Sequence, residues 1–151
     1  MRATIFLLPE NTPKCIQNFV GYFENLKDSK HSISLSSFYD DSIEFKDPIH
    51  QIQSISSVTS YFDKLNKNLK SGGFTFTSIS INEKKCYLEW NMEIELNRPN
   101  KTVSASGISV LSFEHKITHH RDYFDAGEVF YENVPLLGSV IKRLKKSLKN
   151  N

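Results

Sequence analysis

The side chains of this chain that could most readily do chemistry are concentrated in residues 119–125, which hold two histidines, an arginine and two aspartates. The preceding Ile117-Thr118 and the aromatic residues of the stretch are typical of a strand. Successive side chains of a strand point to opposite faces, so His120, Asp122 and Phe124 share one side. If the rest of the chain covers that side, the Asp122 carboxylate needs a partner, because a lone buried charge is costly. Asp122 is therefore either a pocket residue or one member of an ion pair.

A second carboxylate, Asp47, lies at the end of another predicted strand. Ile43 and Phe45 alternate with polar residues, and Asp47 continues their parity, so it should point to the same side as these apolar side chains. Pro48 ends the pairing of that strand. Asp47 is either an inward-facing acid or an acceptor for backbone N–H groups of the following turn. Residues 49–53, which include His50, are expected to form a loop.

Helices should cover these strands. Thr12-Pro13 has the residue types of a helix start, and apolar residues follow at helical spacing as far as Leu26. Tyr22 lies on the flank of that apolar stripe. Its hydroxyl either reaches solvent or lies at the edge of whatever the helix covers.

Two further helices are expected before the longest strands. A short one is predicted over 32–37. The next begins at Ser54 or Ser56 and ends at Ser71-Gly72-Gly73, where a glycine would supply a left-handed C-cap.

From Phe74 onward the apolar period changes to two, which predicts long antiparallel strands. The clearest of them places Trp90 and Met92 on one apolar face. A turn at Arg98-Pro99-Asn100 and a strand over 103–113 follow. Helices followed by antiparallel strands indicate an α+β fold, in which the long strands wrap around an interior.

The whole chain has 151 residues, of which 38% are hydrophobic and 24% charged, and this composition fits one domain with a single core. The net charge of +2 gives no reason to expect nucleic-acid binding. The apolar run that Pro9 stops is too short for a signal peptide or a membrane span. Cys15 and Cys86 lack the spacing of a disulfide framework or a zinc site, so a reducing, cytoplasmic setting is expected.

Residues 132–151 predict an amphipathic C-terminal helix that is rich in lysine and arginine. It is either a docked helix with a solvated basic face or a surface for an anionic partner or membrane. Residues 134–138 could form a lid or simply lead into that helix. No metal is expected, because His119 and His120 are adjacent on a strand and point to opposite faces. His120 is instead a candidate hydrogen-bond partner of a pocket carboxylate.

The sequence resembles the SnoaL-like, nuclear transport factor 2-like superfamily, whose members form a cone from a bent sheet and three helices. The resemblance covers residues 12–131. It is strongest from Gly107 to Asp125, a segment that is similar to the last two strands of limonene-1,2-epoxide hydrolase, including the Arg-Asp-Tyr-Phe-Asp string of residues 121–125. This similarity implies a catalytic role for Asp122. Trp90 and Met92 stand where that enzyme has the arginine and aspartate that assist its acid, so the water-activating set is incomplete.

A second resemblance is to ketosteroid isomerase. The aspartate before a proline is the general base of that enzyme, and this role would fall on Asp47. Tyr22 falls on its oxyanion-hole tyrosine, and Ser109 falls near its protonated aspartic acid. One extra residue separates Asp41 from Asp47, and serine is a poorer donor than an aspartic acid in an apolar site.

We therefore expect a single domain with a cone-shaped α+β barrel, in which a strongly curved, mostly antiparallel sheet is enclosed by three N-terminal-half helices and followed by a C-terminal helix. Its interior would hold a small hydrophobic molecule for acid/base catalysis of an isomerase, cyclase or hydrolase type, with no metal or other cofactor. The expected catalytic residues are Asp47, Asp122, Tyr22 and His120, and the expected ligand-binding residues are Trp90, Met92, Phe45, Ser109, Phe124 and His50.

Two alternatives remain at this stage. The cone could be filled by its own aromatic side chains, of which the chain has eleven phenylalanines and six tyrosines. The protein could also be a non-catalytic homodimer that binds a ligand or another protein. The resemblance implies dimerisation through the outer face of the sheet, where Arg121 and Tyr123 are expected.

Overall fold

The secondary structure follows the apolar periodicity of the sequence. The computed structural model describes residues 5–129, 143 and 146–149. Its helices are α1 (Lys14–Glu24), α2 (Leu26–Ser32), α3 (Ile55–Asn68) and α4 (Ala126–Val129). Its strands are β1 (Tyr39–Lys46), β2 (Gln51–Gln53), β3 (Leu69–Asn82), β4 (Lys85–Leu96), β5 (Lys101–Phe113) and β6 (Ile117–Phe124). The predicted lid at 134–138, and all of the predicted C-terminal helix except Arg143 and residues 146–149, lie outside the described residues.

The six strands form one mixed sheet in the order β2-β1-β6-β5-β4-β3. β1 and β6 are parallel and the other neighbouring pairs are antiparallel. Helices α1 and α3 pack on the inner face, where the ring of Phe19 contacts Phe76 and that of Phe62 contacts Phe45. The predicted α+β class with a mostly antiparallel sheet is confirmed. No helix in the described part of the chain is long and apolar enough to span a membrane.

The start of the chain differs in detail from the prediction. α1 begins at Lys14 after Pro13, and the Thr12 hydroxyl donates to the Pro9 carbonyl rather than capping the helix. The predicted helix over 32–37 is wrong, because α2 already starts at Leu26 and only a 3₁₀ turn spans Leu35–Ser37. The cause is a break at Asn25, after which the buried Leu26 starts the new helix.

The segment after β1 is not entirely a loop. Gln51–Gln53 is a short edge strand, and Ile52 lies opposite Phe45. With a single apolar side chain in three residues, this strand has no periodicity that a sequence could reveal.

The glycines after α3 belong to a strand, so the predicted C-cap is wrong. α3 ends at Asn68 and the chain enters β3 at once. Gly72 has a φ of 106°, and a Cβ atom there would lie 2.2 Å from the Glu93 carbonyl oxygen of β4. Glycine is therefore required for close strand pairing at an irregularity of β3.

Candidate functional site

A cavity of about 290 Å³ lies between the helices and the inner face of the sheet. Most of its wall is apolar. This open volume means that the aromatic side chains do not fill the whole interior. Its lining residues are Phe23, Leu26, Phe45, Asp47, His50, Tyr61, Phe62, Leu65, Phe74, Trp90, Met92, Ile94, Leu96, Pro99, Lys101, Val103, Ala105, Asp122, Phe124 and Val129.

Asp122 reaches the cavity from the middle of β6. Its side chain is only 12% exposed. Ser109 lies opposite Asp122 on the neighbouring strand β5, and its Oγ donates a hydrogen bond of 2.5 Å to Asp122 Oδ1. His120 Nε2 lies 2.6 Å from the same oxygen. The other oxygen, Oδ2, has no hydrogen-bond partner among the described residues, and Asp122 is one of the residues that line the cavity.

A chain of buried hydrogen bonds extends from Asp122 in two directions. Trp90 Nε1 donates to Ser109 Oγ at 2.9 Å, and the Tyr39 hydroxyl lies 2.6 Å from His120 Nδ1. We call Tyr39, Trp90, Ser109, His120 and Asp122 the Asp122 network. Residues of β5 and β6 bond the carboxylate directly, and residues of β4 and β1 bond those two residues in turn.

One tautomer of His120 satisfies all the hydrogen bonds of the network. A neutral ring that carries its proton on Nε2 donates to Asp122 and accepts from the Tyr39 hydroxyl. A doubly protonated ring would leave the Tyr39 proton without an acceptor among the described residues. Tyr39 is fully buried, and burial followed by the charge of Asp122 holds its pKa well above the usual range, so the phenol is a donor.

Asp47 has a different environment at the end of β1. Its Oδ1 accepts hydrogen bonds from the backbone N–H groups of Ile49 and His50 at 2.7 and 2.6 Å. His50 Nδ1 lies 3.0 Å from the other oxygen, Oδ2. The carboxylate therefore closes its own turn and orients the His50 ring, whose side chain is 37% exposed.

Tyr61 of α3 also lines the cavity. Its ring packs against Phe45, His50 and Phe62. Burial raises the pKa of its hydroxyl, and the charges of Asp47 and Asp122 raise it further. Its oxygen therefore lies in the field of both carboxylates and stays protonated.

The structure places most of the predicted site residues around one space. Asp47, Asp122, Trp90, Met92, Phe45, Phe124 and His50 line the cavity. Ser109 and His120 lie directly behind it in the Asp122 network. The lining residues do not include Tyr22, whose hydroxyl accepts a hydrogen bond from Asn66 Nδ2 at 3.1 Å.

Two tyrosines of this region were not singled out by the sequence. Tyr39 precedes the alternating part of β1, so parity gave no reason to choose it. Tyr61 lies beside Phe62 on the flank of the apolar stripe of α3, which is the same signal that drew attention to Tyr22 on α1. The sequence contained no sign that only one of these flanks faces the cavity.

The described residues contain no group of three or more histidine, cysteine, aspartate or glutamate side chains placed to hold a metal ion. The candidate site is thus described by carboxylates, a phenol, imidazoles and apolar rings.

On the outer face of the sheet, an arginine side chain packs against a tyrosine ring. Arg121 of β6 stacks on Tyr123, with the guanidinium carbon 4.8 Å from the ring centroid. Its Nη1 is buried without a hydrogen-bond partner among the described residues. Tyr123 is 54% exposed and lies opposite Ile108 of β5, which is 37% exposed. We call Ile108, Arg121 and Tyr123 the outer patch.

Comparisons with known proteins identify the fold through structure alone. No protein-family model matches the sequence, and no curated protein matches it. A hypothetical protein with a ketosteroid isomerase-like fold from Catenulispora acidiphila, solved in complex with trimethylamine, is similar with a TM-score of 0.65 at 11% identity, over 79% of this chain and 91% of that one.

Two further solved structures are similar over most of their length. A putative SnoaL-like polyketide cyclase from Shewanella putrefaciens has a TM-score of 0.64 at 15% identity, over 78% of this chain and 94% of that one. An LEH-like epoxide hydrolase from M. tuberculosis has a TM-score of 0.65 at 13% identity, over 78% and 86%. The chain has the fold of the nuclear transport factor 2-like superfamily, to which its sequence bears the resemblance noted above.

Proposed function

We propose that this protein is an acid/base enzyme that binds a small hydrophobic molecule in the interior cavity and transfers a proton through Asp122. The observation that carries this proposal is the arrangement of hydrogen bonds around the cavity-lining Asp122 carboxylate, since two side chains hold Oδ1 and Oδ2 has no partner among the described residues. An apolar cavity with a few convergent polar groups is the usual form of a small-molecule site. The volume of about 290 Å³ lies at the lower end of the range for such sites, which favours a small ligand.

The Asp122 network supports a positioned base rather than a mobile one. Ser109 and His120 fix the direction of the carboxylate, so Oδ2 is the atom that would accept or return the proton. A positioned acid or base contributes about 100-fold to 10,000-fold to the rate of a proton transfer. In this assignment Ser109 and His120 are positioning residues, and Trp90, Met92, Phe45 and Phe124 shape the apolar wall.

The reaction type is narrowed by what surrounds the base. The similar structures are named as a hypothetical protein with a ketosteroid isomerase-like fold, a putative SnoaL-like polyketide cyclase and an LEH-like epoxide hydrolase. Trp90 and Met92, which replace the polar pair of the resembled hydrolase, both lie on the cavity wall. This favours proton transfer at carbon, as in an isomerase or cyclase, over activation of water.

Asp47 and His50 take a secondary place in this assignment. Because three donors already engage the Asp47 carboxylate, it orients His50 instead of acting as the first base. Tyr22 has no part in the proposed reaction.

The test uses 5-nitrobenzisoxazole, a flat apolar probe that reports on any base in an apolar pocket. The base takes the proton from the ring carbon, the electron pair of that bond forms a nitrile, and the N–O bond breaks to give a coloured phenolate. We expect the wild-type protein to accelerate this ring opening, and Asp122→Asn to reduce the accelerated rate by about 100-fold or more. The matched control is Asp41→Asn, which removes an exposed carboxylate of β1. An Asp122→Asn protein that remains folded and keeps the wild-type rate would overturn the proposal.

We also propose that the protein is a homodimer through the outer patch. The exposed side chains of Tyr123 and Ile108 support this, because they lie opposite each other on β6 and β5 and a second copy would cover their apolar surface. Light scattering after size-exclusion chromatography should give the mass of a dimer. Tyr123→Lys should shift the mass to that of the monomer, whereas His115→Lys, in the exposed β5–β6 turn, should not. A monomeric wild-type protein at all concentrations would contradict this assignment.

A further inference from the structure

Lys101 is the one lysine among the described residues that line the cavity. It begins β5, and it has the same strand parity as Val103 and Ala105, which are buried on the inner face. Leu96, its partner on β4, also lines the cavity. The alternation of β5 therefore directs a lysine side chain along an otherwise apolar row of the cavity wall.

The ammonium group of Lys101 has no hydrogen bond or ion pair with any described residue. Glu95, the acid nearest to it in sequence, points to the opposite face of β4 and pairs with Lys70 at 3.6 Å. The two carboxylates of the cavity wall, Asp47 and Asp122, have other partners. The positive charge of Lys101 is thus not neutralised by the part of the chain that the structure describes.

The cavity reaches the surface beside this lysine. Pro99, in the turn between β4 and β5, lines the cavity and is exposed as well. Lys101 is half-buried, and a lysine in such a position packs its methylene stem on apolar surface while its ammonium group stays in water. Asp122 is buried and lies opposite Ser109 in the second half of β5. The lysine therefore marks the mouth of the cavity, and Asp122 lies in its buried part.

These charges determine which way round a ligand can bind. An anionic group placed in the buried part would be repelled by the carboxylates of Asp47 and Asp122. At the mouth the same group would meet the ammonium of Lys101 and keep part of its hydration, so its desolvation cost would be small. An apolar chain can fill the space between, where the wall includes Trp90 and Phe124.

A single ammonium group also selects the kind of anion. One positive charge matches a carboxylate, which is a monoanion, better than a phosphate monoester, which carries between one and two negative charges at neutral pH. The cavity volume of about 290 Å³ limits the apolar part to a small chain or ring.

We propose that the substrate is a small hydrophobic carboxylic acid, bound with its carboxylate on Lys101 at the mouth and its apolar chain directed toward Asp122. This assignment rests on the proposed function, since it names the class of molecule on which Asp122 acts. The carboxylate remains at the mouth and does not react. The carbon that loses its proton to Asp122 therefore lies in the part of the molecule remote from the carboxylate, and Lys101 binds the substrate without taking part in the proton transfer.

The experiment compares two probes with the same chain length, octanoate and octan-1-ol, by titration of the tryptophan fluorescence. Trp90 is the only tryptophan of the chain and lines the cavity, so its emission reports on occupancy. Lys101→Met keeps an unbranched stem and removes the charge. We expect it to raise the Kd of octanoate about tenfold and that of octan-1-ol less than about twofold. An effect of this size lies between those of an exposed ion pair and a buried charged hydrogen bond.

Two further variants separate charge recognition from a packing defect. Lys85→Met is the matched control, because Lys85 begins β4 as an exposed outer-face residue, and both constants should stay unchanged. Lys101→Glu should weaken octanoate further and bind octylammonium more tightly than the wild-type protein does. A defect in packing alone would not reverse the preferred charge.

The outcomes separate this assignment from the proposed function. An unchanged Kd for octanoate in Lys101→Met would overturn the role of Lys101, and so would an equal loss for both probes. In either case the cavity still binds an apolar molecule, and the role of Asp122 stands. If the wild-type protein binds neither probe, the carboxylic acid class is wrong, and the ring opening of 5-nitrobenzisoxazole then decides whether the proposed function fails with it.

Discussion

Asp122 and Asp47 are both buried, with 8% and 6% of the whole residue exposed, and each has a histidine within hydrogen-bond distance, yet different kinds of donor hold the two carboxylates. The donors to Asp122 are side chains from two strands, and both bond to Oδ1. The backbone donors to Asp47 come from the two residues after Pro48, and the ring of His50 lies against the same carboxylate. One carboxylate is positioned by tertiary structure and the other by its own turn.

This difference distinguishes a carboxylate that is available to a substrate from one that stabilises its own turn. A turn that satisfies its own carboxylate does not require the rest of the fold, and it leaves little capacity on the oxygens for a substrate. A carboxylate held on one oxygen from across the sheet can form only in the folded chain, and its second oxygen is kept for another partner. Equal burial therefore does not mean equal chemical availability.

The largest expected effect that tests this comparison comes from removing each histidine in turn. His120→Ala takes away the partner of both Tyr39 and Asp122 in a fully buried place, and we expect a loss of about 3 kcal/mol in the free energy of unfolding. His50→Ala leaves Asp47 with its two backbone donors, and we expect a loss below about 1 kcal/mol because the ring is partly exposed. Urea denaturation monitored by tryptophan fluorescence measures both values.

His119→Ala serves as the matched control, because that ring lies on the exposed side of the same strand as His120. Equal losses for the His50 and His120 variants would show that the two carboxylates are supported to the same degree, and the comparison would fail.

Strand parity alone predicted the face of the sheet to which each carboxylate points. Asp47 and Asp122 both face inward as the alternation of β1 and β6 required. For Asp47 the turn alternative was visible as well, since aspartate before proline commonly accepts from the residues that follow. His120 was expected to be a hydrogen-bond partner of a pocket carboxylate. The strand register that places Ser109 against Asp122, and Tyr39 against His120, cannot be derived from a single sequence.

The fold was predictable for a similar reason, and its errors were local. Long strands with one apolar face determined the class, whereas the break at Asn25 and the three-residue strand at Gln51–Gln53 leave almost no periodic signal. Gly72 was misassigned because a glycine after a helix resembles a C-cap, although here the close approach of Glu93 requires it. Tyr22 and Tyr61 had the same position relative to an apolar stripe, and only the tertiary packing separates them.

A smaller expected effect is the pH dependence that the Asp122 network gives to the free energy of unfolding. Tyr39, behind Asp122, has a pKa well above the ordinary tyrosine value of about 10, so the folded state keeps its proton where the unfolded chain would lose it. A pKa raised by folding gives a stabilisation that is complete below the unfolded pKa and is lost as the pH rises above it. Unfolding free energy should therefore fall above pH 10, with Tyr39 contributing up to about 1.4 kcal/mol per pH unit.

Tyr39→Phe should change this dependence in a recognisable way. At pH 8 the variant is expected to be less stable than the wild-type protein by about 1 kcal/mol, because His120 Nδ1 loses its hydrogen-bond partner. Between pH 10 and 11.5 its stability should fall less steeply, so the two curves converge. Cys86→Ala is the comparison variant: burial raises the pKa of that thiol to about 12, so its removal should flatten the curve from about pH 9 instead. Parallel curves for Tyr39→Phe and the wild-type protein would mean that the folded Asp122 network does not protect the Tyr39 hydroxyl, and the network would then add nothing to the contrast between the two carboxylates.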